Sequence, residues 1–272
     1  MSPPSWAHCD GALHNRIVYI YIVLKRIQSL ISCIILGMES VKRGFLRACK
    51  NHSCLSYQLI DDILAPLCAN HKTPKPASKE AIRALVAEIN DTISDLGQSL
   101  VFIKYPIMAE EYLVYAKTDA TPDSVANTGL TAEECQYFSK LLDKIASEEE
   151  CHIAWNAAYN DVILQATWKP LKKSRMQELL QKWTQMGYFM EVDERIYLGP
   201  RSLVELSFYL GSNHGETIKN CTLCKCLVLW DIRCASCNIQ YHRECIKTYL
   251  QRRDLCPSCG NLWTTPIRRS TG

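Results

Sequence analysis

The chain lacks the signatures of a self-contained enzyme. No nucleophile elbow, phosphate-binding loop or pair of catalytic carboxylates occurs in its 272 residues, so any part in catalysis consists of positioning other molecules. Strong charge of one sign is also missing: a net charge of +3 does not require a polyanionic partner, although a local basic face is compatible with it. Bulk disorder is excluded by the 47% apolar content, which over this length supports two or three small domains. No cleavable secretory signal opens the chain. The one membrane-like run, Ile17 to Leu36, is broken near its middle by Lys25 and Arg26. A charge at the centre of a spanning helix costs roughly 2.5 to 3.5 kcal/mol, so the run predicts an amphipathic or accessory helix and no membrane contact.

What the chain has in abundance is cysteine, fifteen in all. Cys221-Thr-Leu-Cys224, Cys234-Ala-Ser-Cys237 and Cys256-Pro-Ser-Cys259 are Cys-x2-Cys knuckles, and His242-Arg-Glu-Cys245 repeats the spacing with an imidazole in the first place. Two intervening residues let both side chains of a pair reach one ion, and structural zinc takes four N or S ligands in a closed tetrahedron. Eight ligands in the order C4HC3 therefore predict two structural zinc ions. A disulfide framework is the competing reading. The histidine, the odd cysteine count and the missing signal all oppose it, and they fit a reducing nuclear or cytosolic compartment. Cys9, Cys33, Cys49, Cys54, Cys68, Cys135 and Cys151 are scattered and read as packing residues, and Cys226 as a spare thiol beside a knuckle.

Upstream, periodicity predicts an α+β fold. Val41 to His71 is helical in pattern, with Phe45, Leu46 and Cys49 and then Leu59, Ile60, Ile63, Leu64 and Leu67 at helix spacing. Ser78 is placed to cap a third helix with apolar face Ile82, Leu85, Val86, Ile89 and Ile93, which Gly97 is placed to end. Two extended segments follow, Ser99 to Tyr105 and Glu111 to Ala116. Three helices and a hairpin are the order of a winged-helix module. The order then repeats. Thr131-Ala-Glu-Glu134 forms a capping box before the face Tyr137, Phe138, Leu141, Leu142 and Ile145, further helices cover Asn156 to Gln165 and Leu171 to Met186, and two short strands are joined at Asp193-Glu194. Pro200 to Leu210 opens one more helix. The expected division is an extension over 1–37, winged-helix-like domains over 38–121 and 130–211, a linker over 212–219, the zinc finger over 220–263 and a tail over 264–272.

Lys169, Lys172, Lys173 and Arg175 open the third helix of the second module, the position that enters the groove in helix-turn-helix proteins; DNA contact and a solvated or partner-facing surface both remain open for this cluster. Cys151, His152 and Trp155 lie close together without a fourth ligand and read as core.

Two zincs held by interleaved knuckles occur in RING and PHD fingers. The C4HC3 order is that of PHD fingers, but Asp254 stands where that family usually carries Trp, and the ten-residue gap from Cys245 to Cys256 is short for it. Cys256-Pro257-Ser-Cys259 resembles the CPxC end of RING fingers, with apolar Leu223 between the first two ligands. The finger thus resembles a RING variant. Following tandem winged helices, it resembles the non-SMC element one family, the RING-type subunits of the SMC five/six genome-maintenance complex. The resemblance covers roughly Met38 to Trp263 and rests on the three knuckles, on Asn-Ile-Gln-Tyr-His242-Arg-Glu-Cys245, on Trp263 and, less specifically, on Leu179-Leu-Gln-Lys-Trp-Thr-Gln-Met-Gly-Tyr-Phe189.

The resemblance implies a nuclear ubiquitin-ligase subunit acting in DNA repair and recombination, partnered by a MAGE-type winged-helix subunit and a kleisin. It implies a cross-brace, with Cys221, Cys224, His242 and Cys245 at one zinc and Cys234, Cys237, Cys256 and Cys259 at the other, and Leu223 and Pro257 as contacts to the ubiquitin-conjugating enzyme. One position departs from the pattern: residue 260 is Gly, where strong ligases often place a basic residue, which implies weak or partner-dependent activity. A non-catalytic scaffold and a PHD-like chromatin reader are the rival expectations.

Overall fold

The structure, a computed structural model, describes residue 25 and, from 35 to 267, every position except 106, 109, 119, 123–128, 165–170 and 230. Nearly all of the expected N-terminal extension, and with it most of the hydrophobic run, lies outside the described residues. Among the described residues no helix is long and apolar enough to cross a membrane.

The chain divides into two compact units, residues 1–48 with 59–89 and residues 49–58 with 90–272. The described residues of the first are mainly helical. Residues 35–52 form α1, Tyr57–Asn70 α2 and Lys79–Ile93 α3. Val41 and Phe45 of α1, Ile60 and Leu64 of α2, and Ile82, Leu85, Val86 and Ile89 of α3 are buried at three- and four-residue spacing, as a one-sided helix requires. Gly44 lets α1 and α2 approach closely, since a Cβ there would meet Leu67 Cδ2 at 2.8 Å. Ser78 caps α3 as its sequence predicts, its Oγ accepting from the Ala81 amide at 3.2 Å.

The second unit begins with a three-stranded antiparallel sheet of order β1-β3-β2, from β1 (Cys54–Ser56), β2 (Gln98–Tyr105) and β3 (Glu110–Lys117). Gly97, in the left-handed conformation at φ 65°, ends a short 3-10 turn that follows α3. The second helical set is α4 (Ala132–Ser147), α5 (Trp155–Leu164) and α6 (Lys173–Gln185), with a second sheet of order β4-β6-β5 from β4 (His152–Ala154), β5 (Phe189–Val192) and β6 (Arg195–Leu198). The capping box of α4 is formed: Thr131 Oγ1 accepts from the Glu134 amide and the Glu134 carboxylate from the Thr131 amide. Asp193 and Glu194 both have positive φ, 49° and 58°, the backbone of a type I′ hairpin turn. Tyr137, Phe138, Leu141, Leu142, Ile145, Met176, Leu179, Leu180, Trp183 and Phe189 fill one core.

Both winged-helix orders expected from the sequence are thus present, each with an added three-residue strand. The expected helix from Pro200 is two short ones, α7 (Pro200–Glu205) and α8 (Ser207–Asn213). The first sheet is joined to the second module inside this unit. Tyr105 donates its hydroxyl to the Leu198 carbonyl at 3.0 Å. Gly187, at φ 79°, admits Cys54 so closely that a Cβ there would lie 2.5 Å from the Cys54 Cβ. Beside them Glu205 of α7 accepts from Arg201 Nε (2.6 Å), the Tyr188 hydroxyl (2.7 Å) and the Lys117 amide (3.3 Å).

Candidate metal centre

The C-terminal finger is built on short strands: β7 (Lys219–Asn220) pairs with β8 (Leu227–Val228), and β9 (Asp231–Arg233) with β10 (Gln240–His242), before α9 (Arg243–Leu250). Its core is Cys221, Val228, Ile232, Cys234, Tyr241, Ile246 and Cys256, with Leu223, Tyr249, Leu250, Trp263 and Ile267 against it.

The three Cys-x2-Cys knuckles share one backbone design. In each, the amide four residues past the first cysteine returns to that cysteine's carbonyl: Lys225 to Cys221 at 2.8 Å, Asn238 to Cys234 at 2.9 Å and Gly260 to Cys256 at 3.0 Å. The first cysteine in turn donates to the carbonyl five residues on, at Cys226, Ile239 and Asn261. The fourth residue is left-handed every time, with φ of 66°, 57° and 72° at Lys225, Asn238 and Gly260. These bonds satisfy the turn's backbone and turn both thiols of each knuckle to one side.

The knuckles bring the ligand side chains into two groups, Cys221–Cys224–His242–Cys245 and Cys234–Cys237–Cys256–Cys259, within each of which the ligand atoms lie within 4.8 Å of one another. In the second group Cys234 and Cys259 Sγ are 3.9 Å apart, and Cys237 and Cys256 Sγ 3.8 Å. Zn–S bonds of about 2.3 Å at the tetrahedral angle place two sulfurs about 3.8 Å apart, whereas a disulfide bond is about 2.05 Å long. The separations are those of zinc ligands. In the first group, His242 Nδ1 is 3.2 Å from Cys224 Sγ and 3.8 Å from Cys245 Sγ. His242 Nε2 lies 2.7 Å from the Leu227 carbonyl, which can only accept; the proton is therefore on Nε2, and the Nδ1 lone pair faces the thiols. Burial lowers the His242 pKa, which favours the neutral ring a metal needs.

The second group is biased toward thiolate at one ligand. Burial opposes ionisation of Cys256, but donation from the Tyr241 hydroxyl and from backbone amides outweighs it and brings the thiol down to about 6. Tyr241 Oη is 3.4 Å from Cys256 Sγ and 2.6 Å from Ser258 Oγ. Neighbouring thiols cannot all ionise without a cation, and Cys245 is pushed up to about 12, by burial first and then by Cys224 and Cys221. The donor sets, separations and tautomer fit two zinc ions in closed four-ligand sites with no position for water.

The remaining residues singled out from the sequence are separate from these groups. Leu223 and Pro257, each between two ligands, are half-buried. Lys172 occupies the N-cap position of α6 and is exposed. Lys173 stands over the Tyr159 ring at 5.7 Å. Arg175 is engaged, with Nε 2.6 Å from Glu134 and Nη1 2.9 Å from Glu178. Lys169 lies outside the described residues. Cys151 is buried as expected, while the His152 ring lies tilted against Tyr197, 5.0 Å between centroids. Trp263 packs edge-on against Tyr241 and donates Nε1 to the Thr265 carbonyl. Sequence spacing did not single out Tyr241 or the Leu227 carbonyl, because neither is a ligand.

A finger with two closed Cys/His groups, carried behind tandem winged-helix modules, defines a multidomain protein with a RING-like metal centre. Residues 221–259 match the family model of a RING-like domain, and residues 42–206 match that of the Nse1 non-SMC component of the SMC5-6 complex. The chain belongs to the Nse1 family. A Drosophila melanogaster protein named non-structural maintenance of chromosomes element 1 homolog is 88% identical over 235 residues, 86% of this chain and 100% of that protein. The Homo sapiens homolog is 23% identical over 85% of this chain and 86% of its own length. A chain of a solved Nse1-Nse3-Nse4 complex superposes with a TM-score of 0.68 at 18% identity, covering 84% of this chain and 97% of that one, which agrees in fold.

Proposed function

We propose that the protein is a RING-type ubiquitin-ligase subunit of the SMC5-6 complex, acting in the nucleus in DNA repair and recombination and assembled with an Nse3 (MAGE-type) and an Nse4 (kleisin) partner. The observation that carries this reading is the closed pair of four-ligand groups in a chain of the Nse1 family. Zinc in such sites supplies fold and no reaction step. The chain's own surface acts by orientation: Leu223 and Pro257 hold a ubiquitin-charged conjugating enzyme so that its thioester meets a substrate amine, which raises effective concentration without covalent participation. The eight Cys and His side chains are the zinc ligands. Arg175 is engaged by two carboxylates, so the basic cluster's contact with DNA or with a partner protein rests on Lys169, Lys172 and Lys173.

Position 260 favours a second reading, the non-catalytic scaffold, because it carries no basic side chain. Autoubiquitination with a panel of conjugating enzymes, with and without the Nse3-type partner, separates the two. The ligase predicts activity that rises with the partner and falls in Leu223→Ala and Pro257→Ala; inactivity under every condition supports the scaffold.

A further inference from the structure

β8 and the residue after it are shared by two cores. Val228 is buried in the finger among Cys221, Tyr241 and Ile246, whereas Leu229 is buried in the core of the second winged-helix module and Leu227 packs against that core. Successive side chains of an extended segment point to opposite faces, so one short strand serves both sides. Ile218, before β7, is 1% exposed in the same winged-helix core. A Cβ on Gly211 of α8 would meet Leu227 Cδ2 at 3.7 Å, ordinary contact. The joint is closed on its polar side by Asp143 of α4, whose Oδ1 accepts from the Tyr209 hydroxyl at 2.7 Å and lies 3.0 Å from His214 Nε2. The His214 carbonyl then accepts from the Thr217 and Ile218 amides.

The carbonyl that receives His242 Nε2 belongs to Leu227. One residue therefore has its side chain in the winged-helix joint and its carbonyl on a ligand of the first metal group. Among the described residues, the hydrogen-bond partners of the second group, Tyr241, Ser258 and the knuckle backbone, belong to residues outside the winged-helix core.

We propose that the two zinc groups have different mechanical roles: the first pins the finger to the second winged-helix module through His242 and Leu227, and the second folds the finger alone. The inference is independent of ligase activity. With the first group loaded, the imidazole is fixed by its metal on one side and by Leu227 on the other. Linkage makes the coupling reciprocal, so loosening the joint weakens the first metal and leaves the second unchanged.

Two variants of the full chain test this. His242→Cys keeps a metal-binding side chain and removes the Nε2–H donor, while Leu227→Ala/Leu229→Ala loosens the joint from its far side. Native mass spectrometry should find two zincs in His242→Cys, with amide exchange across residues 207–218 faster by about tenfold. In the double variant, transfer of zinc to a colorimetric chelator should become biphasic, one equivalent leaving about tenfold faster and the other at the wild-type rate. Wild-type exchange in a two-zinc His242→Cys protein, or equal acceleration of both equivalents or of neither in the double variant, would overturn the proposal. If His242→Cys loses zinc, the double variant decides alone.

Discussion

Glu205 shows how much one side chain can hold. Its carboxylate is 1% exposed and gathers Arg201, the Tyr188 hydroxyl and the Lys117 amide, while the Arg201 guanidinium lies 4.3 Å from the Tyr188 ring centroid. Glu205→Ala would leave Arg201, itself 8% exposed, as an uncompensated buried charge, a loss of about 3–5 kcal/mol that chemical denaturation would read. Glu134 is the milder case. Donation from Arg175 holds its carboxyl below the ordinary carboxylate range against burial, with help from the Thr131 amide. A depressed carboxyl pKa gives stability that is present above the unfolded-state value and is lost as pH falls through the folded-state value. Glu134→Gln should therefore lower the urea midpoint at pH 7, and its difference from wild type should shrink in acid, below the ordinary carboxyl pKa. Thr131→Ala removes the other half of the capping box and should cost about 1 kcal/mol, measured in the same way. Gly260 adopts a left-handed φ of 72° with open space around its missing Cβ. Lys225 occupies the equivalent place in the first knuckle. Gly260→Arg should therefore fold with both zincs at a cost of about 1–2 kcal/mol. On the ligase reading it should increase ubiquitin discharge from the charged conjugating enzyme.

At the scale of elements, legibility follows the number of residues that carry a signal. The long helices show four or five apolar positions at helix spacing, and α3, α4 and α6 lie where that spacing puts them. The knuckles are legible because a metal demands fixed residue types at fixed separations. β1 and β4 are three residues each, too short for alternation to register, and they exist because β3 and β6 offer them an edge. The start of α6 is a further case. The sequence pattern starts this helix at Leu171 and so places Lys172 inside it, but Lys172 is extended at φ −64°, ψ 139° and the helix begins at Lys173. That places Arg175 in its first turn, where Glu134 of α4 claims it. Periodicity reports which face of a helix is apolar and says nothing of which carboxylate arrives opposite a cation.

For the whole molecule, the sequence order of two winged-helix modules and a finger is present, yet compactness does not follow it. The sheet of the first module and its strand β1 belong to the same unit as the second module and the finger. Tyr105 bonding Leu198, and Gly187 against Cys54, are tertiary contacts between residues far apart in the chain, which no local pattern encodes. The finger likewise shares Leu229 and Ile218 with its neighbour's core, so the expected linker over 212–219 is partly α8 and partly buried joint. The eight residues of the two Cys/His groups were legible from spacing alone; the partner of the His242 ring was not, since a backbone carbonyl leaves no mark in the sequence.

Two closed zinc sites underlie both the fold of the finger and its proposed role, and native mass spectrometry of the full chain, purified without added metal, counts them. The wild-type protein should carry two zinc ions, and Cys234→Ser should lose zinc and the folded finger with it. Two tightly held zincs in Cys234→Ser, or a zinc-free wild-type chain lighter by the hydrogens of paired cysteines, would contradict the two-site assignment.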